Sequence, residues 1–80
     1  MSENNQLCLK DVKEGQKCII IFVNGGKIAT KRLADLGITI GVEVKIIANL
    51  MYGPIEIEIN NSKIVLGNGL ASKILVELKQ

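Results

Sequence analysis

Lys31-Arg32-Leu33-Ala34-Asp35-Leu36-Gly37-Ile38-Thr39-Ile40-Gly41-Val42-Glu43-Val44 is the stretch that decides how this chain folds. Leu33 and Leu36 stand three residues apart, the spacing of one face of a short helix. Gly37 follows, where a helix end favours a left-handed residue that costs little without a Cβ. Ile38 then folds back over the helix. Gly41 supplies a second turn, and Val42 and Val44 open an alternating, strand-like run. The order is helix, stop, tight turn, strand.

Upstream, Ala29, Leu33 and Leu36 form the apolar stripe of a helix over Ile28 to Leu36, with Lys31, Arg32 and Asp35 off it. Asn24-Gly25-Gly26 is a turn. Lys17 to Val23 is rich in β-branched residues and reads as a strand with apolar residues on both faces. That pattern means either burial on both sides or an exposed apolar strip on one. Gly15, in Lys13-Glu14-Gly15-Gln16, suits the third position of a type II turn. Leu7 to Leu9 is apolar and leads through Lys10-Asp11-Val12 into the next turn.

Downstream, Glu43 to Ala48 is the second long strand. Asn49 to Pro54 is a loop. Ile55-Glu56-Ile57-Glu58-Ile59 alternates strictly, the period of a half-buried strand with three isoleucines inward. Asn60-Asn61-Ser62 is a hairpin turn, because Asn tolerates left-handed conformations. Lys63 to Leu66 returns as its partner. Asn68 is placed to cap a helical turn over Gly69 to Lys73. Ile74 to Leu78 is a last strand. The count is about five strands, and a closed or nearly closed, mainly antiparallel all-β barrel removes their unpaired edges. Its expected core includes Val44, Ile46, Ile57, Leu66 and Val76.

The chain has 80 residues, enough for one domain, and 48% are hydrophobic. Residues 1–6 read as a frayed polar tail and 7–80 as the domain. Phe22 and Tyr52 are the only aromatic residues, so the core must be aliphatic. A net charge of +2 does not by itself argue for a polyanionic partner. Lys27, Lys31 and Arg32 are a local basic group, but with a single arginine and two aromatics the stacking needed for nucleic-acid readout is poor. No apolar run approaches the ~18 residues that span a bilayer, and no secretory leader is visible. The expectation is a cytoplasmic protein. Cys8 and Cys18 are expected to be reduced and structural, since small secreted scaffolds usually carry more cysteines.

There is no histidine. That removes the usual general base and the commonest transition-metal ligand. The glycines form no Walker pattern. The chain is expected not to be an enzyme and to hold no cofactor. Glu56 and Glu58 share a strand face about 7 Å apart, but without a third ligand a solvated face is the better reading. Leu50-Met51-Tyr52-Gly53-Pro54 is apolar where a polar turn is expected. Met51 and Tyr52 suit a protein contact, and Leu50 suits packing over the barrel end.

The block from Arg32 to Val44 resembles the signature of the FeoA family: Arg-Leu, two residues, Leu-Gly, two residues, Pro-Gly, then an alternating strand. Leu9 to Gly15 resembles the family's opening Leu-x-x-Leu-x-x-Gly. Gly53-Pro54 and the Ile/Glu run resemble its Gly-Asp-Pro and next strand, and Leu66 through Ala71 to Ile74 and Val76 resembles its closing pattern. The likeness covers roughly 7 to 78. Ile40 replaces the family's Pro, the Asp before Pro54 is missing, and Gly67 replaces an Arg.

The resemblance implies an SH3-like barrel and a non-enzymatic accessory of bacterial ferrous iron uptake. The implied partner is the FeoB GTPase-permease, met at its cytoplasmic GTP-binding region, which would hold the protein peripheral to the inner membrane without insertion. Lys31, Arg32, Met51 and Tyr52 are the expected partner-binding residues. The same domain is similar to a module of metal-dependent transcriptional repressors, so the alternative is a detached regulatory module acting with such a repressor.

Overall fold

A computed structural model describes residues 6–50 and 53–79. Its elements run β1 (Gln6–Cys8), a 3-10 turn (Leu9–Asp11), β2 (Lys17–Val23), α1 (Gly26–Asp35), β3 (Glu43–Asn49), β4 (Ile55–Ile59), β5 (Ser62–Leu66), α2 (Asn68–Ala71) and β6 (Ile74–Lys79). Apart from Gln6, which opens β1, the expected tail lies outside the described residues.

The strands form one six-stranded antiparallel sheet in the order β1-β6-β2-β3-β4-β5. Two expectations are corrected here. The strands number six rather than five, because Gln6, Leu7 and Cys8 pair with Glu77, Val76 and Leu75. The sheet is also open: β1 and β5 are its edges and do not pair with each other. Closure is dispensable because both edges are blunted. β1 is three residues long, and β5 carries Ser62 and Lys63, and short or lysine-bearing edges resist further pairing.

Alternation places the core. Ile55, Ile57 and Ile59 are buried along β4 while Glu56 and Glu58 are half-buried. Val44, Ile46, Ile57, Leu66 and Val76 are all at most 1% exposed. Leu9 and Val12 are fully buried members of this core, and Asn49 ties down the turn that joins them. Its Nδ2 donates to the carbonyls of Lys10 at 2.9 Å and Val12 at 2.7 Å. Asn60 and Asn61 both take positive φ, 51° and 69°, between the paired Ile59 and Ser62. That is the type I′ geometry that suits strand twist.

α1 starts at Gly26, before the expected Ile28, and buries Ala29 and Leu33. Its end follows the Gly37 reading. Gly37 has φ +88°; its N–H donates to Ala34 at 2.9 Å, and Ile38 N–H donates to Leu33 at 2.9 Å. This pair of bonds is the Schellman motif. Ile38 folds back and is 1% exposed. Leu36 departs from expectation: it is the C-cap, with φ −92° and ψ 1°. Having left the helical path, its side chain is 45% exposed and Ile38 takes the core position. Asn68 also departs, since Gly67 is the N-cap of α2 and no side chain caps it.

Candidate functional site

β2 carries apolar side chains on both faces, and its pairing with β6 decides which are covered. Cys18 and Ile20 point inward and are fully buried, with Ile20 opposite Val76. The register then slips: Ile21 is passed over, and Phe22 stands opposite Leu75 and Val23 opposite Ile74. This bulge reverses the phase of the strand. Strict alternation would send Phe22 inward after Cys18 and Ile20. Instead Phe22 is turned out, 51% exposed, and Val23 packs on the core. Of the two readings of this strand, the exposed strip is the one observed.

Phe22 and Val23 form one wall of an apolar groove. Thr30 and Ala34 on α1 form the opposite wall, and Ile38, Thr39 and Ile40 close its end. Its volume is about 370 Å³. A second hollow shares Phe22, Val23, Thr30 and Ala34 and runs on past Asn24 to Lys27 and Lys31. On the outer face, Cys8, Leu75 and Phe22 form one cross-strand row.

The rim of these hollows is basic. Lys27 and Lys31 border the second hollow, and Lys31 Nζ lies 3.6 Å from the Asp35 carboxylate in an i,i+4 pair. Lys73 borders the neighbouring cleft that Phe22 and Cys8 line. Gly25 makes room for it: a Cβ there would stand 2.7 Å from the Ala29 Cβ and 2.9 Å from the Lys73 Cδ. The Asn24 N–H donates to the Lys73 carbonyl at 2.6 Å, holding the α2–β6 junction against the start of α1.

The expected contact residues are distributed differently. Lys31 lies on the rim. Arg32 is exposed but does not line the groove, since its helical position puts it on the flank with Ile28, which is 78% exposed. Met51 and Tyr52 lie outside the described residues. Leu50, expected to pack, is 63% exposed. Phe22, Ile38 and Ile40 were not among the expected contact residues. The two-faced apolar pattern of β2 was the available signal for Phe22. For Ile40, 66% exposed, no signal marked a groove.

The remaining polar chemistry is sparse. Among the described residues no group of three or more His, Cys, Asp or Glu could hold a metal. Glu56 is engaged by Lys63 at 3.6 Å. Lys79 Nζ donates to Glu43 Oε1 at 2.6 Å, and this bond lowers the Glu43 pKa against an opposing desolvation. Cys8 and Cys18 are both free thiols. Burial, helped by the nearby Glu43 carboxylate, pushes the Cys18 thiol up to about 11, so it is not a nucleophile at neutral pH.

Known proteins match this chain over most of its length. The FeoA domain profile covers residues 7–78. A protein of Methanocaldococcus jannaschii named "Putative Fe(2+) transport protein A" is 43% identical over 65 residues, spanning 81% of this chain and 78% of that protein. The crystal structure of an iron uptake regulatory protein (FeoA) superposes with a TM-score of 0.89 at 27% identity, covering 92% of this chain and 99% of that one. A manganese-dependent transcriptional repressor shares the fold, with a TM-score of 0.86 at 17% identity over 99% of this chain and 45% of the repressor. The small SH3-like fold, the profile and the relative agree: the chain belongs to the FeoA family of Fe(2+) transport accessory proteins.

Proposed function

We propose that this protein serves ferrous iron uptake by docking, without catalysing a reaction, on the cytoplasmic GTP-binding region of a FeoB-type permease. The observation that carries the reading is the family membership over residues 7–78. The surface supports it: an exposed apolar groove with a lysine rim is suited to a protein partner. Among the described residues no helix is long and apolar enough to cross a membrane, which fits a protein held at the membrane by its partner. Lys31 and Arg32, with Met51 and Tyr52, remain the proposed contacts. Because Lys31 and Arg32 occupy different flanks of α1, they are best tested separately.

The experiment is a pull-down of the transporter's cytoplasmic region by wild type, Met51→Ala with Tyr52→Ala, Lys31→Glu, and Arg32→Glu, each first shown to be folded. Wild type is expected to bind and the variants to bind more weakly. If all variants bind like wild type, the docking face lies elsewhere. If wild type does not bind, the transporter reading falls and the detached regulatory module takes its place.

A further inference from the structure

We propose that the Phe22 groove takes an apolar side chain from an acidic peptide segment of a protein partner, with the segment's carboxylates meeting Lys27 and Lys73. The inference deepens the docking reading and rests on it.

The groove's shape and lining select the occupant. At about 370 Å³ it sits at the low end of small-molecule sites, roughly 300–1,000 Å³. Such sites orient their ligands with a few accurately placed polar groups, and the side chains lining this groove offer only the hydroxyls of Thr30 and Thr39. The walls supply apolar contact and little direction. Direction comes from the rim. Lys31 is neutralised by Asp35, but Lys27 and Lys73 have no ion pair among the described residues. A segment with carboxylates beside its apolar anchor complements both parts of the surface.

A second copy of this chain fits poorly. A two-fold contact through the groove would bring the Lys27 and Lys73 rims of both copies together, and like charges across an interface are unfavourable. The bulge at Ile21 gives the groove its anchor, since it alone turns Phe22 outward.

The test is a nuclear magnetic resonance titration of the full chain with three short peptides. One is acidic and apolar (Glu-Asp-Leu-Phe-Asp-Glu), one replaces its acids with lysines, and one replaces its Leu-Phe with Ser-Ser. The first is expected to shift amides of Phe22, Val23, Thr30, Ala34, Ile38 and Ile40, and to bind at least about tenfold more tightly than either control. Phe22→Ala and Ala34→Arg, both at exposed positions, should abolish it. Lys27→Glu with Lys73→Glu should turn the preference toward the lysine peptide, which a damaged fold would not do. Equal response to all three peptides, shifts confined to other surfaces, or self-association through the groove would overturn the proposal. No transporter is present in this titration. A failed pull-down beside successful peptide binding would therefore strike the transporter reading alone, and the converse would strike the groove.

Discussion

Phe22 stands directly across from Leu75, one step out of phase with the inward alternation set by Cys18 and Ile20. The register slip at Ile21 produces this pairing. It places the chain's only phenylalanine on the surface while a smaller residue, Val23, packs on the core. Core packing alone would favour the reverse, because the larger ring buries more apolar area.

The first prediction contrasts two truncations. Ile57 is fully buried in β4, so Ile57→Ala should cost about 2–5 kcal/mol. Phe22→Ala removes more atoms from a half-exposed ring and should cost roughly 1 kcal/mol. Urea unfolding measures both. A larger loss for Phe22→Ala would show that the ring is a core residue.

Gly37 gives the second prediction. Its φ of +88° closes the Schellman motif that seats Ile38 over α1. Gly37→Ala should cost about 1–2 kcal/mol from the left-handed conformation alone. Gly37→Asn should lose less, because Asn tolerates that region. The two variants are compared by thermal unfolding, and equal stability of Gly37→Ala and wild type would refute the strain.

Local chemistry was legible where it acts within a few residues. The Ile55–Ile59 alternation, the Gly37 stop and the Asn60-Asn61 turn each appear as read. What escaped depends on distant partners. β1 has only three residues, and its pairing with β6 is made across most of the chain. Leu36 keeps the spacing of the apolar stripe but falls just beyond the helix end, so periodicity misplaced it. Closure was inferred from the need to protect edges, whereas short length and Lys63 protect them here. The two-faced pattern of β2 left an exposed apolar strip open, but not where it would lie or that α1 would wall it into a groove. A bulge on β2 is set by its pairing with β6, and no residue in Cys18 to Val23 announces it.

A third prediction concerns the cargo. The sequence has no histidine, and the described residues hold no group of three or more candidate ligands. The isolated protein should bind Fe(2+) more weakly than about 1 μM. Anaerobic calorimetry is the measurement, and tighter one-to-one binding would contradict it.

The last prediction uses the buried thiol. Cys18 is fully buried between β3 and β6, opposite Val44 and Leu78. Burial, and secondarily the Glu43 carboxylate, raise its pKa from an ordinary 9.0 to about 11. The folded state therefore keeps its thiol proton in a range where the unfolded chain gives it up. The stability associated with this proton is fully present below pH 9.0 and is lost as pH rises toward about 11. A rise of that size is worth about 2–3 kcal/mol across the window. Other groups titrate there too, so the informative quantity is the difference between wild type and Cys18→Ala. The variant should be less stable at neutral pH, because it leaves a cavity. Its urea midpoint should then fall less steeply than wild type as pH rises through the window. Alkylation gives an independent check, since half-buried Cys8 should be modified well before Cys18. Parallel pH profiles for the two proteins, or equal labelling rates for the two thiols, would show that Cys18 is open to solvent.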